Sequence, residues 1–205
     1  MNYELMNNNV ATLCGVVERE PKYSHDMYGE GFYESVIVVP RLSDQVDKIP
    51  FTVSERLLVD GKIAVGNTVT LVGQLRSYNK IVGNKSKLFL TLFVRDVADN
   101  DEEQNPNVID VVGYVCKPPV YRMTPFKREI CDVLLAVNRA YNKSDYLPCI
   151  AWGRNARFVK DVPVGAKLTI NGRIQSREYQ KTLDSGEIET RLAYEVSVNR
   201  IETEE

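Results

Sequence analysis

The 205-residue sequence predicts an all-β fold with short helices, arranged as two tandem five-stranded barrels. Three observations carry that expectation. The chain matches itself at a nearly constant offset, each copy holds five strand-patterned runs, and one helical stretch follows the third run in each copy.

A shift of 98 places superimposes Val10 on Val108, Gly15 on Gly113, Val17 on Val115, Pro21 on Pro119 and Tyr23 on Tyr121. It continues through Val39 on Val137, Arg41 on Arg139, Pro50 on Pro148 and Arg56 on Arg154. One inserted residue later, Val65, Gly66, Thr70, Gly73 and Ser77 meet Val164, Gly165, Thr169, Gly172 and Ser176. Chance identities scatter over many offsets, whereas these keep the Gly and Pro punctuation that sets turns. The predicted layout is a first domain over 1–98, an acidic linker over 99–106 (DNDEEQN then Pro106), a second domain over 107–202 and a short acidic tail over 203–205.

In the first copy the strand runs are Val10 to Val17, Tyr33 to Val39, Ile49 to Val53, Thr68 to Ser77 and Leu88 to Val97. In the second they are Val108 to Val115, Ile130 to Val137, Tyr146 to Trp152, Lys167 to Tyr179 and Leu192 to Ile201. Helix candidates are Ser54 to Leu58 and Arg154 to Val159. A β-sandwich has a similar strand count. Five strands with one helix after the third is instead the order of the oligonucleotide-binding (OB) fold, a partly open barrel.

Composition sets limits on class. With 43% apolar and 26% charged residues the chain is that of an ordinary globular protein. No apolar run reaches the length needed to span a bilayer, and the opening MNYELMNNNV lacks a leader pattern, so a cytoplasmic protein without membrane partners is expected. Cys14, Cys116, Cys131 and Cys149 are widely spaced among aliphatic residues and are expected to be reduced core thiols. With one histidine, no paired metal spacing, no phosphate-cradling loop and no nucleophile beside a base, neither a cofactor nor an enzyme activity is expected.

Strand parity locates the expected binding face. Leu168, Ile170, Gly172 and Ile174 share one side of the fourth strand of the second copy, leaving Thr169, Asn171, Arg173, Gln175, Arg177 and Tyr179 on the other. The third strand adds Tyr146 and Trp152 in matching parity with Ile150, and Tyr141 precedes it in the turn-like AYNKSD. Arg139, Lys143, Arg154, Arg157, Lys181 and Arg191 gather on the same strands and loops. Forked guanidinium groups match phosphate oxygens, and aromatic rings offer flat surfaces to bases. By residue type alone a single indole such as Trp152 is more often a core residue than a stacking platform.

Charge divides along the same boundary. Residues 1–106 hold 11 Lys and Arg against 15 Asp and Glu, whereas residues 107–201 hold 15 against 10. A basic half attached to an acidic one suits binding of a polyanion by the basic half. The first copy keeps Gln74, Arg76 and Tyr78 in outward parity, and Lys80, Lys85 and Lys87 follow for phosphate contact. At the positions of Tyr141, Tyr146 and Trp152 it has Ser43, Lys48 and Ser54, so weak stacking and an auxiliary or protein-facing role are expected there.

The second copy, through YRMTPF, LLAVNR, SDYLPCIAWGR and GRIQSREY, closely resembles the bacterial single-stranded DNA-binding protein family over about 95 residues, with the first copy as a diverged relative. The resemblance implies OB barrels that bind single strands with little sequence preference in DNA replication, repair or recombination. It also implies four barrels per assembly, which a homodimer of this chain would supply. Its stacking positions correspond to Tyr141, Tyr146, Trp152 and Tyr179. The expected nucleic-acid-binding set is therefore those four rings with Arg139, Arg154, Arg173, Gln175, Arg177, Lys181, Arg191, Arg76 and Tyr78. The family's acidic, apolar tip that recruits replication and repair proteins has no counterpart in the closing RIETEE. RNA binding and a non-catalytic protein-interaction scaffold are the alternative functions, because the same barrel serves all three.

Overall fold

The computed structural model describes residues 7–41, 43–83, 85–98, 107–182 and 186–203, with the side chains of Val82, Lys85 and Lys181 excepted. The predicted linker over 99–106 and the last two residues of the predicted tail lie outside the described residues.

The first half folds as β1 (Asn9–Val17), β2 (Lys22–Met27), β3 (Glu30–Pro40), β4 (Val46–Ser54), β5 (Thr68–Val82) and β6 (Lys85–Ala98). The second repeats it as β7 (Asn107–Val115), β8 (Val120–Met123), β9 (Glu129–Arg139), β10 (Lys143–Trp152), β11 (Lys167–Thr182) and β12 (Ile188–Thr203). In the first half β1 pairs with β3 and β5, β3 with β4, β4 in parallel with β6, and β5 with β6. Five strands thus close on themselves, and the second half closes in the same order. Both are OB barrels, in tandem, as the sequence predicts.

Each closure needs a residue without a Cβ. The β5–β6 ladder slips between Val72 and Gly73 and the β11–β12 ladder between Asn171 and Gly172. A Cβ at Gly73 or Gly172 would collide with the carbonyl oxygen of Phe93 or Ser197. These repeat-related glycines let a bulge bend the strand enough to close the barrel.

The inner faces fill with alternate residues of every barrel strand. Leu13, Ile37, Ile49, Phe51, Leu71, Leu75 and Leu92 are fully buried in the first half, as are Ile109, Leu135, Leu147, Leu168 and Ile170 in the second. Burial of each such side chain contributes about 1.5–3 kcal/mol. Two thiols depart from expectation. Cys131 and Cys149 are buried, but Cys14 and Cys116 are only half-buried, because their parity on β1 and just after β7 turns them from the barrel interior.

Helical structure also departs in part. Arg154–Val159 forms the predicted helix, α1, with Ala156 and Val159 buried beneath it. The first copy has only a 3-10 turn, Glu55–Leu57, with no buried residue and a Ser54 cap to the Arg56 N–H. Leu57 and Leu58 rest against the core only partly buried, and this packing does not extend the turn into a helix. The hairpin strands β2 and β8 were not expected; all their residues are exposed, so they carry no apolar alternation to read.

The two barrels join edge to edge through antiparallel β1 and β7, with Ala11 opposite Ile109. Asn9 stands opposite Val111 and Leu13 opposite Asn107, so the repeat relation makes this pairing a local two-fold. Asn9 and Asn107 do matching work beside the bulges. The Asn9 carboxamide donates to the Leu75 carbonyl at 2.8 Å and accepts from the Leu75 N–H at 2.9 Å. Asn107 does the same with Ile174 at 2.7 and 2.9 Å. Each carboxamide therefore substitutes for a backbone amide group.

Candidate nucleic-acid interface

Strand β10 shows how one segment serves core and surface together. Leu147, Cys149 and Ala151 point inward and are buried, while Tyr146 and Trp152 stand outward, 43% and 37% exposed. Ile150 shares their parity but is buried, where β10 pairs in parallel with Ser197 of β12. Six residues of extended chain separate the two rings by about 20 Å on one face. Tyr141 lies in the 3-10 turn Ala140–Asn142 in a left-handed conformation (φ 61°), and this turns its ring fully out, 92% exposed.

Trp152 lines a shallow cavity of about 490 Å³ together with Lys127, Arg128, Glu129 and Gly153. Phe126, at the tip of the β8–β9 hairpin, is 87% exposed. These hairpin groups are absent from the sequence-derived set, although the adjacent FKR in a turn was a readable signal. Arg154 opens α1 nearby and is exposed, and Arg157 in its last turn pairs with Glu129 at 3.1 Å.

On β11 the expected face divides. Arg177 is exposed, lies 5.7 Å over the Tyr179 ring, and reaches Glu195 at 3.3 Å. Arg191 sits across the ladder from Tyr179 and is bonded to Glu189 at 2.8 Å. Gln175 is buried instead, and its amide donates to Glu195 at 2.8 Å. Glu195 arrives from β12, which strand parity on β11 does not reveal. The Lys181 side chain lies outside the described residues.

Three more arginines of the expected set, Arg76, Arg139 and Arg173, are drawn into the seam between the barrels. Asp145 accepts from Arg76 at 2.9 Å, from the Ser77 N–H at 2.8 Å and from Arg139 at 3.3 Å. The repeat-related Asp47 accepts from Arg41, from the Ser176 N–H at 2.7 Å and from the Ser176 hydroxyl at 3.1 Å, with Arg173 at 3.8 Å. Burial by itself pushes the Asp47 carboxyl up, but Arg41 and Ser176 outweigh it and hold it below the usual value. Burial pulls the Arg76 guanidinium down, and Asp145 restores it only in part. Arg76, Arg139 and Arg173 thus spend much of their charge on aligning the barrels.

The seam also brings the two faces together. The Tyr146 N–H donates to the Ser77 hydroxyl at 2.6 Å, placing the second barrel's ring beside β5 of the first. Tyr78, the next residue on β5, is 44% exposed. Among the described residues no group of three His, Cys, Asp or Glu side chains could hold a metal ion, and no helix is long and apolar enough to cross a membrane.

Comparison with known proteins places this geometry. The Single-strand binding protein family matches residues 106–203. Single-stranded DNA-binding protein 1 of Staphylococcus aureus is 32% identical over 81 residues, covering 36% of this chain and 48% of that protein. Single-stranded DNA-binding protein A of Bacillus subtilis is 31% identical over 81 residues, covering 36% and 47%. The chain spans about half the length of the curated relatives it matches. The whole two-barrel arrangement is similar to the wild-type single-stranded DNA binding protein from Thermus aquaticus, with a TM-score of 0.69 and 18% identity over 96% of this chain and 93% of that one. A deletion mutant of the same protein gives 0.71 and 17%, so here the likeness is one of fold. The second half of this chain, residues 106–203, is thus similar to the single-strand binding protein family, and the whole chain shares its fold with a two-barrel protein of that name.

Proposed function

We propose that this protein binds single-stranded DNA with little sequence preference, chiefly through the outer face of the second barrel, and protects strands during replication, repair or recombination. The observation that carries the reading is the split personality of β10: its inward residues are buried core while Tyr146 and Trp152 stand exposed on one face. Lys127 and Arg128 line the cavity with Trp152, Arg154 follows it two residues on, and Arg177 lies over the Tyr179 ring. Any base has a π-face to stack, so such a surface tolerates sequence and contributes about 1–3 kcal/mol per base. Its action is one of binding and not of catalysis, with Tyr141 and Tyr179 extending the platform and Arg139, Arg173 and Arg191 tuning the field from partly paired positions. The names of the matched relatives agree with this ligand.

Trp152 is the only tryptophan, so its fluorescence reports the site directly. Oligo-dT is expected to quench it, duplex DNA to act more weakly, and affinity to fall with salt as counterions are released. Tighter binding of oligo-U than oligo-dT would turn the reading toward RNA, and no quenching with no gel shift would overturn it.

Two protomers would present four barrels, and the proposed assembly is a homodimer in the cytoplasm. Light scattering at two protein concentrations tests it; a strictly monomeric mass refutes it.

A further inference from the structure

The first barrel lacks rings at the positions where the second displays Tyr146 and Trp152; Lys48 and Ser54 stand there instead. Its rings lie on the other half of the same face. Tyr78 of β5 and Phe89 of β6 are directly opposite in the ladder and stack with centroids 5.6 Å apart and planes 14° off parallel. The Lys87 ammonium sits 5.4 Å from the Phe89 centroid, and Lys80 is its cross-strand partner. One step inward, the Phe93 ring has the Arg76 and Arg95 guanidiniums at 5.8 and 5.7 Å, and both bond the Gln74 carboxamide oxygen, at 2.6 and 3.1 Å. The second barrel has none of these rings. In the matching ladder positions of β12 it carries Arg191, Ala193, Glu195 and Ser197.

We propose that the first barrel carries its own single-strand-binding platform, built on the Tyr78–Phe89 stack and the cations Lys80, Lys87 and Arg95, and that it takes over the strand where Tyr146 leaves it. This rests on the function proposed above and extends it across the seam. The continuity comes from the hydrogen bond of the Tyr146 N–H to Ser77, because the residue after Ser77 is Tyr78. A stacked pair with Tyr78 exposed, Phe89 half-buried and an ammonium beside one ring suits a base and its phosphate together. Glu34 is also close enough to raise the Tyr78 phenol pKa, after burial, and would oppose phosphate on its own side of the ring. The phosphates are therefore assigned to the Lys80–Lys87 end of the hairpin. Aligning the repeats hides this platform, since its rings have moved from the third strand to the fourth and fifth.

Length dependence tests it. The full chain is titrated into end-labelled oligo-dT of about 10 nucleotides, within one barrel's span, and of about 30, enough for both. The double variant Tyr78→Leu, Phe89→Leu keeps apolar bulk but removes the stack. It is expected to bind the long strand about tenfold more weakly, the loss of one stacked base, and the short one unchanged. Lys87→Glu, a surface change that leaves the ring pair in place, is expected to act in the same direction and serves if the double variant melts early. Long-strand affinity within twofold of the parent in both variants overturns the platform while leaving the second-barrel site intact. Failure of the parent to bind either length would overturn the proposed function itself.

Discussion

The Asp47 carboxylate of the first barrel accepts both the backbone N–H and the hydroxyl of Ser176 from the second, 129 residues away. The reciprocal bond, Ser77 N–H to Asp145, relates to it by the internal repeat, so the two barrels clasp each other with the same residue pair used twice. Each aspartate side chain is fully buried and faces an arginine of its own barrel, Arg41 or Arg139.

Replacing Asp47 with Ala leaves the Arg41 guanidinium and the Ser176 N–H without their partner. A loss of about 3–5 kcal/mol in urea unfolding is expected, as for other broken buried pairs. Asp47 titrates below its ordinary value of 3.8 in the folded protein. Its stabilisation is therefore fully present above pH 3.8 and is lost as pH falls through the folded value. Melting temperature followed down through this range should fall less steeply in Asp47→Asn than in the parent. Equal slopes would show that the carboxylate does not hold the seam.

Tyr146→Ala should weaken oligo-dT binding about tenfold with little change in melting temperature, because the ring is outward and about one stacked base is lost. Leu168→Ala, on the inward face of β11, should cost about 2–5 kcal/mol of stability. Equal unfolding by both changes would mean that the proposed face is core.

Gln175 and Arg177 are two residues apart on one strand and are expected to behave oppositely. Gln175→Ala leaves the buried Glu195 without its amide donor and should cost about 1–3 kcal/mol in stability with affinity unchanged. Arg177→Ala removes a half-exposed partner of Glu195 and should cost at most about 1 kcal/mol of stability, but it should weaken oligo-dT binding and lower the steepness of the salt dependence by about one ion. Affinity against salt concentration, measured for both, separates them.

How much of this was legible in the residues varies by feature. Repeated Gly and Pro positions and period-2 alternation exposed the duplication, the strand order and the outward parity of Tyr146 and Trp152, because turn geometry and pleat are local properties. Gln175 was misplaced for the opposite reason. Its parity is that of Arg173 and Arg177, but a carboxylate from β12 covers it. Arg76, Arg139 and Arg173 carry charge in any reading of composition, yet the seam takes much of it.

The chain by itself determined two barrels, a basic second half and a ringed third strand, since backbone propensity, alternation and charge are written position by position. Only the tertiary structure decided that Asp47 would meet Ser176, that Tyr146 would lie beside Ser77, and that Tyr78 would stack on Phe89. Those contacts depend on ladder register and on β1 pairing with β7, which join segments far apart in the chain and leave no periodic trace in it.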